Sequence, residues 1–394
     1  PALMGEVDVI KAIQLLPGVQ TASEGSSGFS VRGGSPDQNL ILLDEATVYN
    51  ASHLLGFFSV FNNDAVKDVT LHKGDIPPSS GGRLASVLDV RMKEGNSKKF
   101  SSAGGVGTIS SRLTLEGPIA SGNTSFMVSG RRTYADIFLP FARDENVRDN
   151  TLYFYDLNAK VNHHFNDNNR IFISGYFGRD IFKNEFGSIG FGNRTITLRW
   201  NHLFSQRLFS NFSLVHSQYN YEIGTPPGRP DAFLWQSGMK DHSAKADFNF
   251  YLTPDFTIRF GGSASFHLFD PGQARGLGEE SLFSEFIVPR SYALQHGLYA
   301  GIEQNFGKKL SLKYGVRWSA FQNSGKSTVY YYNDEFVKYD SAFFPSARIY
   351  NTYHGFEPRL GINYILRRFV GQGYLLAHPA VYSPGSELNC RNTA

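Results

Sequence analysis

The 394 residues suffice for two or three ordinary domains, or for one barrel with an attached domain. Lysine and arginine total 38 against 35 acidic residues, so no charge excess points to nucleic acid or another polyanion. Mean hydropathy is −0.28 and no apolar run approaches the roughly 18 residues of a membrane helix. A membrane strand escapes that test, because it shows lipid only every second residue. Aromatics at 14%, with 34 Phe, 20 Tyr and 40 Gly, suit many strands and turns with rings at an interface. Cys390 is the only cysteine, which excludes an internal disulfide and a Cys-based zinc site. Pro1 opens directly on a helix-like segment without a signal peptide. If the protein is exported, its N-terminus is expected to lie upstream.

Residues 1–96 read as a small α+β unit. Val9, Ala12, Ile13 and Leu16 form a helical stripe that Pro17-Gly18 stops. Strands are predicted at Phe29–Arg32, Leu40–Leu43, Val66–His72 and Leu84–Met92, separated by Gly33-Gly34-Ser35-Pro36 and the Gly-, Pro- and Ser-rich loop from Gly74 to Gly82.

From about residue 100 the pattern changes to repeated strict alternation. Phe256, Ile258, Phe260, Gly262, Ala264, Phe266 and Leu268 interleave with Thr257, Arg259, Gly261, Ser263, Ser265 and His267. Leu310, Leu312, Tyr314, Val316, Trp318 and Ala320 interleave with Ser311, Lys313, Gly315, Arg317 and Ser319. Period two puts one set on an apolar surface and the other in water. Short links near 120–123, 166–169, 205–207, 253–255 and 307–309 alternate with long ones near 134–150, 180–194, 222–238, 269–288 and 322–353. Outer-membrane barrels alternate tight turns with long outer loops in this way, whereas a soluble sandwich has no reason to. Phe165, Phe204, Tyr251 and Phe306 sit at strand ends beside short turns, where rings would form an aromatic girdle. The predicted count up to Leu366 is about eleven strands, half of the 22 in barrels that hold a globular plug. The expected fold is mainly β: a small α+β plug domain followed by an incomplete antiparallel transmembrane β-barrel.

Three phrases carry a family resemblance: GEVDVIKAIQLLPGV (5–19), FSVRGGSPDQNLILLDEATVYNASHLLGFFSVFN (29–62) and DVTLHKGDIPPSSGGRLASVLDVRMKEG (68–95). They resemble the plug of TonB-dependent outer-membrane receptors of the Bacteroidetes type, over about a quarter of the chain. GFEPRLGINY (355–364) resembles a recurrent barrel strand there. The resemblance implies a plug domain at 1–96, the N-terminal part of a barrel at 97–366, and a place in the cell outer membrane. It also implies uptake of a scarce nutrient (an iron chelate, cobalamin, glycan or peptide) energised by the inner-membrane TonB complex. Expected partners are that complex, the small nutrient ligand, outer-membrane lipids and a surface lipoprotein, with no nucleic acid and no cofactor. The reading of a passive barrel adhesin or a soluble carbohydrate-active β-protein stays open, but neither needs a domain with these phrases.

The resemblance makes Arg32 and Arg83 plug-gating candidates that would face wall glutamates; the plainer reading is that each caps a surface turn. Gly33, Gly34, Gly81 and Gly82 read as turn glycines with positive φ rather than ligand contacts. Asp44, after the apolar strand Leu40–Leu43, reads as an Asx-type turn residue, with substrate contact as the alternative. The sequence carries no G-x-S-x-G, H-E-x-x-H or Walker loop, and its 11 histidines lack ligand spacing, so neither an enzyme nor a metal site is expected. Residues 367–394 alternate poorly, bring in Pro379 and Pro384, and contain Cys390. They are expected to be an atypical tail from a frame slip or truncation, or else a divergent strand and loop.

Overall fold

The computed structural model describes residues 2–3, 6–22, 27–119 and 122–365; the tail expected at 367–394 lies outside them. The N-terminal unit begins with a short helix, α1 (Val9–Ile13). Asp8 caps it, its Oδ1 accepting from the amides of Ile10 at 2.8 Å and Lys11 at 3.1 Å. The helix ends earlier than its stripe suggests. Ile10 and Ile13 are buried while Leu16 is exposed, so the apolar face is rotated by one residue from the predicted one.

Four strands form the unit's sheet: β1 (Asn39–Leu43), β2 (Ala46–Thr47), β3 (Val66–His72) and β4 (Ser86–Met92), in the order β2-β1-β4-β3. β4 runs parallel to β1 and antiparallel to β3. Phe29, Val31, Leu88 and Val90 pack with Ile10 in its core. That core continues into the second region through Met127 and Tyr176.

The second region is a 13-stranded sheet. Twelve strands follow one another in chain order, all antiparallel, from β5 (Ser101–Val106) through β6 (Ser110–Ile119), β7 (Thr124–Thr133), β8 (Thr151–Asn166) and β9 (Asn169–Lys183). The path continues through β10 (Ser188–Ser205), β11 (Leu208–Gly224), β12 (Phe233–Thr253) and β13 (Phe256–Gly276). The short β14 (Phe286–Val288) pairs beside β13, and the path resumes with β15 (Ser291–Phe306), β16 (Leu310–Ser324) and β17 (Ile349–Tyr364). The meander holds one strand more than the sequence pattern gave. The extra one arises because residues 101–119 divide into two strands, β5 and β6, at the tight turn after Val106.

The expected loop near 180–194 is a four-residue link, because β9 and β10 run on past the apolar band to Lys183 and Ser188. The link after β16 holds a hairpin of its own, Ser327–Tyr332 with Lys338–Phe344.

The two faces are distinguished by what they touch. Lys313 and Arg317 on β16 contact the N-terminal unit, so Tyr314, Val316 and Trp318 point away from it. On β13, Phe256 through Leu268 share the outward parity, since Ser263 bonds Arg317 on the inner side. Of the predicted girdle rings, Phe165, Phe204 and Phe306 follow the outward alternation. Tyr251 falls on the inner parity beside a bulge, leaving Phe250 outward.

Candidate functional site

The densest chemistry lies where the N-terminal unit meets the inner face of the sheet. Its centre is the two-residue turn Asp44-Glu45 between β1 and β2, closed by the pairing of Leu43 with Ala46. Both residues are left-handed, with φ of 46° and 74°. Those signs are normally met by Asn-Gly or Asp-Gly, and Glu at the second position costs about 1 kcal/mol. The strain coincides with strong side-chain anchoring.

Asp44 Oδ1 accepts from the Met92 amide at 3.0 Å, and Oδ2 lies 2.8 Å from Lys160 Nζ on β8. The two side chains are only 3% and 2% exposed. Glu45 Oε1 accepts from Asn211 Nδ2 at 3.0 Å and lies 3.3 Å from Arg91 and 3.5 Å from Arg199. Lys245 Nζ donates to the Glu45 carbonyl at 3.2 Å. Burial pushes the Glu45 carboxyl up, but Lys245, Arg91, a Ser213 hydrogen bond and Arg199 outweigh it and bring it down to about 2.

A second knot surrounds His53. Its Nδ1 is 2.6 Å from Asp180 Oδ2, and Asp180 Oδ1 accepts from the Leu54 amide at 2.7 Å. Nε2 faces Asp156 Oδ2 at 3.4 Å and Tyr176 Oη at 3.3 Å, while the ring stacks on Phe154 at 4.1 Å. Arg131 donates to the same Asp156 oxygen at 2.8 and 2.7 Å and to the Ser59 carbonyl at 2.8 Å. Burial lowers the tendency of His53 to hold a proton, yet Asp180 and Asp156 more than compensate and raise its pKa above 6.5.

Three further ion pairs tie the unit's edges down: Asp64 to Arg112 at 2.8 Å, Glu94 to Arg170 at 2.6 Å and Asp75 to Lys313 at 3.0 Å. Arg317 donates to the carbonyls of Pro78 and Ser79, and Arg359 to those of Ile76 and Pro77. Apart from the His53 knot, the unit supplies the acids and the sheet the bases. Such pairs hold while dry and weaken once water enters, so the interface can hold firmly and still separate.

The residues singled out by sequence divide. Asp44 sits in a turn, but its side chain reaches Met92 and Lys160 instead of closing an Asx turn, which makes it part of the interface. Gly82 and Gly33 have positive φ, at 82° and 81°. Gly34 and Gly81 do not. They permit close approach: a Cβ on Gly34 would lie 2.7 Å from that of Ala85, and one on Gly81 would collide with the Arg317 guanidinium. Arg32 is exposed, its guanidinium beside Gly74 of its own unit, and Arg83 donates to the neighbouring Gly82 carbonyl at 2.9 Å. Among the described residues neither makes an ion pair with the sheet. Sequence reasoning missed Glu45, His53, Asp64, Asp75 and Glu94. The available signal was Lys313 and Arg317 at positions read as facing plain water.

Residues 3–87 match the family model described as TonB-dependent Receptor Plug Domain. No curated protein matches the sequence. Among solved structures, the copper transporter OprC is similar at a TM-score of 0.66 and 12% identity, over 91% of this chain and 58% of that one. The FrpB iron transporter from Neisseria meningitidis gives 0.64 and 11%, over 92% and 60%. BauA, the ferric preacinetobactin receptor from Acinetobacter baumannii, gives 0.59 and 12%, over 88% and 57%. The chain thus spans less than two thirds of each of these three proteins. The fold is a plug domain with a large antiparallel sheet that matches the N-terminal part of TonB-dependent receptor barrels.

Proposed function

We propose that this chain is the gate and half of the wall of a TonB-dependent transporter in the cell outer membrane. The observation that carries the reading is the two-faced sheet: apolar residues outward, and inward bases paired with the acids of a matched plug domain. In this reading the outward rows meet lipid, and the plug closes the lumen. The TonB complex, drawing on the proton-motive force, pulls the plug until water reaches the Asp44–Lys160 and Glu45–Arg199 contacts. A scarce nutrient then passes. Ferric and copper cargoes belong to the structural neighbours by their names, and an iron chelate, cobalamin, glycan or peptide all suit a gate of this kind. The three plug phrases support the Bacteroidetes-type subfamily, and with it a surface lipoprotein as a further partner. Domain limits of 1–96 and 97–366 fit this division of labour, with Arg32 and Arg83 kept as gating candidates toward the remaining wall.

The test uses the intact protein with Cys390 replaced by serine and cysteines at Asp75 and Lys313, bridged by a short bifunctional cross-linker. Uptake of the cognate nutrient should stop on bridging and recover on cleavage, with insertion unchanged. Full uptake with the bridge in place would overturn plug gating.

A further inference from the structure

The outward face of β10 to β16 carries a feature that a uniform lipid-facing surface does not need. Four successive cross-strand rows define it. The row nearest the long connections reads Arg194, Gln218, Lys240, Leu268, each directly opposite the next. Below it come Ile196, His216, His242 and Phe266, with the two imidazoles 4.6 Å apart. The third and fourth rows put small residues in the middle: Ala244 opposite Ala264, and Ala246 opposite Gly262. Leu198, Leu214 and Trp200 rise on one side of these four, and Leu298 and Trp318 on the other.

The result is a groove with an apolar floor and a cavity volume of 740 Å³, continuous through Ala244 and Ala264 with a 560 Å³ hollow under the histidine pair. Above it, Lys240 and Gln218 line a polar hollow of 300 Å³. The acids there are already committed, Glu222 to Arg179 at 2.7 Å and Asp270 to Arg290 at 2.8 Å. Arg194 and Lys240 are exposed, and among the described residues neither has an acidic partner; Arg194 lies over the Phe177 ring. One strand, β11, lies between theirs, which is two strand spacings or roughly 10 Å, so both long side chains can reach one anion between them.

We propose that this groove holds one phosphate-bearing membrane lipid. Its headgroup phosphate sits between Arg194, Gln218 and Lys240, and an acyl chain lies over Ala244, Ala246, Gly262 and Ala264. The shape is that of an amphiphile: two free cations at the end near the long loops, and a trough floored by small residues running toward the short turns. A protein partner would have to match an alkyl-wide trough and an anion at one fixed height. A lipid brings both together, and charge-assisted bonds from arginine and lysine suit a phosphate. The proposal rests on the membrane reading above, which sets this face against lipid.

The experiment reconstitutes the intact protein in phosphatidylcholine vesicles carrying a trace of photoactivatable phosphatidylglycerol, and compares labelling of β12 and β13 among variants. Flotation with the vesicles is read separately. Arg194→Ser/Lys240→Ser should float normally and lose labelling by about tenfold, as expected for two basic residues near a lipid phosphate. Ala244→Leu/Ala264→Leu, which fills the trough and leaves the charges, should lose labelling to a similar degree. Excess inorganic phosphate should not displace the label. Undiminished labelling in either double variant overturns the proposal: if the charges do not matter there is no headgroup site, and if the trough does not matter the attraction is only electrostatic. A wild-type protein that fails to float refutes the membrane reading, and this site with it.

Discussion

The same strands present two different chemistries on their two faces, and under the proposed function the contrast explains how such a wall can be permanent on one side and releasable on the other. Outward, Leu214, Leu298 and Val316 remain exposed hydrophobic surface of the kind that suits an apolar solvent. Inward, Lys160, Arg199 and Lys313 meet carboxylates of the plug one for one. Under the proposed function, burial of the outward rows by lipid has no partner to lose. Burial by the plug does, because deeply buried charges such as Lys160 and Asp44 are tolerated only while the counter-charge is in place.

That contrast can be broken at several points. Lys160→Met should cost the most, leaving the Asp44 carboxylate buried without its cation, worth about 3–5 kcal/mol of plug docking. Hydrogen exchange of the amides near Asp44 should speed up by two orders of magnitude or more, and Asp44→Leu added to Lys160→Met should restore much of the protection. On the other face, Leu214→Arg should lower the stability of the inserted sheet by about 2–4 kcal/mol, while the volume-conserving Leu214→Met should be far milder. Heat-modifiable mobility of the intact protein separates the two.

Acidity acts on the inner face through Glu45 and His53. Glu45 is held down from 4.5 to about 2, so its contribution is complete above pH 4.5 and lost as pH falls toward 2. His53 is raised, so its contribution is complete below pH 6.5 and fades as pH climbs through the raised value. Plug protection, corrected for intrinsic exchange, should therefore fall at both ends. Glu45→Gln should flatten the acid limb and His53→Gln the alkaline one, and unaltered limbs would remove these groups from the docking balance.

A finer test weighs strain against charge at one residue. Glu45→Ala keeps the strained φ and loses the carboxylate, whereas Glu45→Gly loses the carboxylate and relieves the strain. Docking of the glycine variant should exceed that of the alanine variant by about 1 kcal/mol. Equal protection would mean the turn is not strained. The smallest effect is expected at the rim, where Lys313 is 46% exposed. Lys313→Ala should change docking by no more than about 0.5 kcal/mol, since water screens the pair with Asp75.

Much of this architecture was legible in the residues. Period-two alternation in 256–268 and 310–320 dictates which side chains share a face, and it needs no knowledge of neighbours. The plug phrases marked the first unit, and the Gly- and Pro-rich stretches marked its turns. The strand count fell short at residues 101–119, because the turn after Val106 splits one stretch into two short strands and carries no Pro or long polar loop to mark it. The helical stripe was misplaced by one residue because α1 is too short for periodicity to fix its phase.

The site was the part least visible. Alternation sets Lys160 and Arg199 on the face opposite the apolar rows, but water and a plug look the same from sequence. Asp44 and Glu45 lie more than a hundred residues from those cations, and their meeting depends on how the plug sits against the sheet. Local pattern therefore determined the strands and their two faces, and tertiary docking alone decided which inward charges are paired. The physical reason is range: side-chain parity is set by adjacent residues along the chain, whereas an ion pair is set by a distance in space.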